Sequence, residues 1–258
     1  MPNRPAQVVQ DHLRLPDNAA RLRDTRLNTP PPSISELVFQ APAEHVDEEH
    51  VLLAKSTLKV CREAAERARQ IALSVLADET VPELGRHKSA SEAIFKLTSP
   101  VLERTTRAIN RLHAKQVALT DYLLGPKPPA NLIEQMASME ARNALANLSP
   151  ADRRKIVLAG LASGDASIAN AACRVSPFIV GMSPEEQHEY QSRWADREHP
   201  EVVRLLATIT QSLDAVERGG QLLLTYSQSL TSGALVKRAT ELSSRAQAAI
   251  ASAQVGAE

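Results

Sequence analysis

Residues 51–75 read VLLAKSTLKVCREAAERARQIALSV, and the spacing of their small and apolar side chains decides the fold class. Val51, Ala54, Leu58, Cys61, Ala65, Ala68, Ala72 and Val75 fall at alternating steps of three and four. That spacing puts all eight on one stripe of a helix, the a and d seam of helices packed side by side. A strand would need its apolar residues at every second position. Half of the seam is alanine, so a neighbouring helix can come close. Phe95, Thr98, Leu102, Thr105, Ile109, Leu112, Gln116, Leu119 and Leu123 repeat the period, and the intervening loop 79–88 contains Pro82 and Gly85. Residues 44–125 therefore predict two long helices folded back on each other as an antiparallel, coiled-coil-like hairpin. Pro100 is expected either at the first helical position or at a kink.

Upstream the pattern disappears. Seven of the sixteen prolines lie in the first 42 residues, and Thr29-Pro30-Pro31-Pro32-Ser33 cannot continue a helix because proline lacks the amide donor. Residues 1–43 are read as an extended, disordered arm with room for a short helix between Val8 and Leu22. Its Leu, Val and Phe residues suit an arm that orders on a partner.

Downstream, Gly125-Pro126-Lys127-Pro128-Pro129 is the clearest break, and the region 130–199 that follows is a domain of short helices. Ser149-Pro150, Ser176-Pro177, Ser183-Pro184 and His199-Pro200 each place a candidate cap before a proline at the first helical position, where the missing N–H costs nothing. Ser183 with Glu186 completes a capping box. Gly164-Asp165 reads as one helix stopping and the next starting. Helices are expected over 130–147, 150–162, 165–174 and 184–197, with a short turn at 177–181. Residues 200–254 carry a long C-terminal apolar stripe, Val202, Leu206, Ile209, Leu213 and Val216. Gly219-Gly220 interrupts it, and Leu223, Leu230, Leu235, Leu242, Ala246 and Ala249 resume it out of phase. Two helices in line, or one bent at Gly219, is the expectation, since each interior glycine costs about 1 kcal/mol.

Composition narrows function further. Thirty basic residues balance thirty acidic ones, so no net field would gather nucleic acid or an anionic membrane around the molecule. Only seven of the 258 residues are aromatic, which suits closely packed small-residue helices. Cys61 and Cys173 belong to no C-x-x-C pair and make no disulfide framework, which points to a reducing, cytoplasmic setting. No apolar run reaches the length of a membrane span, and no secretory h-region opens the chain.

Candidate chemistry is sparse. Glu185-x-x-His188 has the spacing of a di-iron ligand pair but occurs once, and its acids suit a helix N-terminus. Glu44-His45-Val46-Asp47-Glu48-Glu49-His50 could hold a metal through His45 and Glu49, or could simply charge the first turn of the long helix. Gly160-Leu161-Ala162-Ser163-Gly164 lacks the spacing and the strand of a nucleophile elbow. Arg86, His87 and Lys88 are a candidate anion site, three potentially cationic side chains before a helix N-terminus. Residues 151–174 could be taken for a helix-turn-helix, but the second helix carries one basic residue, so nucleic-acid reading is disfavoured. Arg153-Arg154-Lys155, the densest basic run, is expected to face water. Cys61 is read as a small buried hydrophobe. Phe178, Tyr190 and Trp194 gather three aromatics within a short span; Tyr190 and Trp194 share a helix face and are expected to lock the short helices together. If exposed, they would be a partner-binding patch.

Glu140-Ala141-Arg142, Leu145, Leu148, Arg153, Arg154, Gly164-Asp165, the run Pro177-Phe178-Ile179-x-Gly181-Met182-Ser183-Pro184-Glu185 and His199-Pro200-Glu201 together resemble a pattern in uncharacterised helical proteins of bacterial and tailed-phage or prophage origin. The resemblance covers about a quarter of the chain and rests on caps and turns. It implies a phage-associated accessory or assembly protein. The sequence thus predicts an all-α, elongated helical bundle that is not an enzyme and carries no cofactor, metal or membrane segment. Its expected role is to bind a protein partner, or to self-associate as a homo-oligomer, through its helical seams. The alternatives are an adaptor or regulator that binds a partner or nucleic acid through the arm, and a metal-binding helical-bundle enzyme.

Overall fold

A computed structural model describes residues 30–34, 41–231 and 233–255 and realises the three-and-four alternation as helix α1 (Glu49–Leu76). Seven of the eight seam residues, Val51 through Ala72, are buried, and Val75 is half-buried. Among the described residues eight further α-helices follow: α2 (Glu83–Leu123), α3 (Leu132–Ala146), α4 (Pro150–Ser163), α5 (Ala166–Cys173), α6 (Pro177–Val180), α7 (Pro184–Glu198), α8 (Pro200–Thr231) and α9 (Ala234–Val255). A 3-10 turn at Ala43–His45 precedes them, and no strand occurs among the described residues. The chain is all-α and bundle-like, and divides into two compact units. Among the described residues, one draws on 30–34, Leu53–Ile109 and those from Asp214 on, the other on Ala41–Leu52 and Asn110–Leu213.

The first unit packs α1, α2 and α8 by their small residues. Cys61 Sγ lies 3.3 Å from Thr105 Oγ1. Ala68 and Ala72 share a cluster with Ile94, so positions rise along α1 as they fall along α2, the antiparallel hairpin. Thr98 and Thr105 sit buried in this seam because each hydroxyl donates to a carbonyl four residues back, Ile94 O and Val101 O, and leaves no polar atom unpaired. The N-terminal register of α2 differs from the sequence reading. Stepping back from Thr98 by four rather than three makes Ile94 the buried residue, and Phe95 is 69% exposed. Pro100 lies inside α2, not at its start, because the helix begins at Glu83. Both Pro100 and Lys96, whose carbonyl loses its amide partner there, are on the exposed side, where water can serve that carbonyl.

The glycine pair does not interrupt α8. A Cβ on Gly219 would lie 2.6 Å from Leu58 Cδ2, and one on Gly220 2.9 Å from Thr105 Cγ2, so at these positions α8 lies close against α1 and α2. Val202, Leu206, Ile209, Leu213, Val216, Gly220, Leu223, Ser227 and Leu230 form one stripe of alternating threes and fours with no slip. The stripe looks broken in sequence because two of its members are a glycine and a serine. Ser227 is buried and donates to Leu224 O. The helix ends at Thr231, and Gly233 precedes α9. On α9 the inward residues are Val236, Ala239 and Ser243, whereas Leu242 and Ala246 are exposed; Lys88 Nζ donates to Ser243 Oγ at 2.6 Å. The expected N-terminal arm falls almost wholly outside the described residues. Ile34 within it is buried, and its Cγ2 is 3.5 Å from where a Gly219 Cβ would stand.

In the second unit the caps set the helix boundaries. Asn131, Ser149 and Ser183 side chains accept from the backbone N–H of Glu134, Asp152 and Glu186, and Glu186 returns the bond to Ser183 N as a full capping box. Asp165 accepts from Ser167 and Ile168 N. Gly164 (φ 79°) and Gly181 (φ 71°) take the left-handed turn that ends α4 and α6, with Asp165 N and Met182 N bonding back to Gly160 O and Pro177 O. Gly160 lets α5 lie against α4, because a Cβ there would meet Ile168 Cγ2 at 2.6 Å. Leu145, Val157, Leu161, Cys173, Val180, Met182, Tyr190 and Trp194 close the core between these helices.

Long polar side chains finish the carbonyl ends that caps leave open. Arg153 does not face water as expected but is buried, its guanidinium donating to Leu145 O (3.0 Å), Leu148 O (3.0 Å) and Gly181 O. Gln187 and Gln191 donate to Ala172 O and Cys173 O, Arg197 to Leu161 O, and Arg174 to Gly125 O and Pro126 O. A helix C-terminus is the negative end of its dipole, so a guanidinium is favoured there electrostatically as well as by hydrogen bonding.

Candidate functional site

The two histidine-bearing acidic clusters resolve into helix-end chemistry. Glu48 caps α1, accepting from His50 N at 2.6 Å and Val51 N at 3.3 Å, while His50 Nδ1 and Lys115 Nζ approach its other oxygen at 3.2 and 3.8 Å. Burial alone would raise this carboxyl, but the hydrogen bonds from His50 and Val51 outweigh it and hold it below the ordinary carboxylate range. Glu44 pairs with Arg204 Nε at 2.7 Å. Glu185 is an exposed first-turn acid at the start of α7. Among the described residues no three His, Cys, Asp or Glu side chains gather as metal ligands would.

The three cations of the proposed anion site lie within the first turns of α2 rather than before it, since α2 starts at Glu83. Arg86 Nη1 donates to Leu76 O at 2.9 Å, His87 Nε2 is 4.0 Å from Glu83, and Lys88 is committed to Ser243 and Glu92. Each of the three is thus engaged with a different partner. Cys61 and Cys173 are buried, and burial raises both thiols, that of Cys173 to about 12, so neither is a ready nucleophile. Ser163 Oγ donates to Gly160 O as an ordinary helix-end hydroxyl. In the helix-turn-helix reading α5 would have to enter a groove, but five of its eight residues, Ala169–Cys173, are buried. The arginines from Arg4 to Arg26 lie outside the described residues.

The aromatic trio separates. Tyr190 and Trp194 are buried, Trp194 at 6% exposure, and they join α7 to the core, so they form no patch open to a partner. Phe178 is 81% exposed. It is the start of a different surface. On α6, Ile179 beside it is 62% exposed, and on α3, which packs against α6, Leu132, Ile133, Met136 and Met139 are 70, 80, 54 and 57% exposed. The reason is local. α3 buries the face of Ser138, Ala141 and Leu145, and Leu132, Met136 and Met139 follow at steps of four and three along a face turned away from it. α6 is a single turn that spends Val180 on the core and holds Phe178 and Ile179 outward. Single exposed apolar residues are ordinary, whereas here six large ones are exposed on two packed helices. Sequence reading singled out Phe178 and missed the rest, because Leu132, Met136 and Met139 look like a core stripe. The side that packs on the core instead carries Ser138 and Ala141, small residues that are buried and half-buried. No family model, no curated protein and no solved structure matches this chain.

Proposed function

We propose that the chain is a non-enzymatic helical interaction or assembly protein whose docking surface is the apolar face of α3 together with the exposed turn α6. The observation that carries this reading is the exposure of Leu132, Ile133, Met136, Met139, Phe178 and Ile179 beside a core that needs none of them. Methionine is unbranched and polarisable and suits a surface that adapts to a partner. Burying each of the six more completely contributes about 1–2 kcal/mol, and association costs about 4 kcal/mol or more in lost freedom, so an affinity no tighter than about micromolar is expected from this face alone.

The first seam is buried within one chain from Val51 to Ala72, which argues against its holding a second copy. Self-association, if it occurs, would use the short helices. The phage-associated setting implied by residues 140–201 accords with an assembly or accessory role. The test is the size of the complex in a native lysate. The full-length chain should elute well above its own mass, and Leu132→Ser, Ile133→Ser and Met136→Ser combined should return it to that mass with an unchanged thermal midpoint. An identical elution position for the two would refute the proposal.

A further inference from the structure

Resting on that reading of the α3 and α6 surface, we infer that its occupant is a basic amphipathic helix of another protein. Charge selects the partner. Thirty acids balance thirty bases in the chain as a whole, yet no Lys or Arg lies between Lys127 and Arg142, where α3 exposes its apolar face, or between Arg174 and Arg193, which spans α6. The same intervals hold Glu134, Glu140, Glu185, Glu186 and Glu189. Glu189 is neutralised by Arg154 and Arg193 at 3.0 and 2.9 Å, and Glu186 is engaged in the capping box. Glu134, which accepts from Ala130 N and Asn131 Nδ2, and Glu140 remain exposed on α3, and Glu185 at the start of α7. The first and last lie in helix first turns, where the dipole offsets part of their charge, but Glu140 is in mid-helix and has no such offset.

A second copy of the chain fits this surface poorly, because a two-fold contact would set Glu134 and Glu140 against their own counterparts. A strand has no edge to join, since no strand occurs among the described residues. A helix can lay its apolar stripe along Leu132, Met136 and Met139, a ridge about 10 Å long, and place Lys or Arg on its flanks beside the three glutamates.

Fluorescence anisotropy with the full chain tests the inference. The probes are a labelled leucine–lysine peptide of about 18 residues with helical spacing, the same peptide with every lysine replaced by glutamate, and one of the first composition in strand-like alternation. The helical lysine peptide should bind saturably and more weakly as salt is raised, and the other two should bind at least about tenfold less well. Glu140→Lys with Glu185→Lys should weaken it about tenfold at an unchanged thermal midpoint, and Ile133→Ser with Met136→Ser should abolish saturation. If the glutamate peptide binds equally, or charge reversal has no effect, the basic partner is overturned while the docking surface stands. If the serine variant binds as the wild type does, both fall. Sedimentation showing a dimer that Ile133→Ser dissociates would also overturn the inference, in favour of a second copy.

Discussion

Replacing Gly219 by alanine separates two opposite physical expectations. In an exposed helix interior the change stabilises by about 1 kcal/mol, because glycine has more backbone freedom to lose on folding. Here the new Cβ would stand 2.6 Å from Leu58 Cδ2, about 1 Å inside ordinary carbon–carbon contact, and Leu58 is buried with no solvent to turn towards. Overpacking of this kind costs about 1–3 kcal/mol, so Gly219→Ala should be neutral or destabilise by up to about 2 kcal/mol. The source of that cost can be isolated. Leu58→Ala alone should destabilise by about 2–5 kcal/mol, and in the Gly219→Ala background it should cost about 1–2 kcal/mol less, because the added methyl enters the space that Leu58 leaves. Urea unfolding followed by far-ultraviolet circular dichroism gives all four free energies. A Gly219→Ala variant more stable by about 1 kcal/mol, with the two substitutions additive, would refute the close approach of α8 to α1.

Other substitutions and conditions probe the second unit. Arg153→Met keeps the aliphatic stem but leaves the carbonyls of Leu145, Leu148 and Gly181 without their donor. It should cost about 3–4 kcal/mol in the same assay, against less than about 0.5 for its exposed neighbour in Lys155→Met. Trp194 is the only tryptophan, so its emission should be blue-shifted and resist iodide quenching until the chain unfolds. The Cys173 thiol is held protonated in the folded chain up to about 12, whereas in the unfolded chain it ionises near its ordinary 9.0. Its contribution to stability is therefore complete below pH 9 and falls between pH 9 and 12; Cys173→Ala should flatten that decline in a pH series of melting temperatures.

Much of the second unit was legible because its boundaries are written in local chemistry. Ser149, Asp165, Ser183 and Gly164 cap the elements whose ends they mark, since each such interaction closes within a few residues. α1 was equally clear, its seam occupying the spacing read from the sequence. The failures have a common cause. Gly219, Gly220 and Ser227 belong to the buried stripe of α8, but a search for apolar side chains passes over residues whose contribution is to be small. Phe95 and Ile94 are adjacent, and a step of three or four from Thr98 is equally permitted by the period, so the register of α2 was settled only by packing. Arg153 was read by its charge, whereas its position depends on three carbonyls up to 28 residues away in sequence. The apolar face of α3 was hidden for the converse reason, because nothing in a local pattern says that a stripe of Leu and Met has been left uncovered.

Photo-crosslinking in the native cell measures directly whether that face is used. A photoreactive residue is placed at Met136 or Phe178, and as controls at Leu73 or Val117, which are exposed apolar positions on α1 and α2. The docking surface predicts a discrete protein adduct at Met136 and Phe178 that Ile133→Ser removes, with none at Leu73 or Val117. Equal labelling at all four positions, or no adduct at Met136, would contradict it.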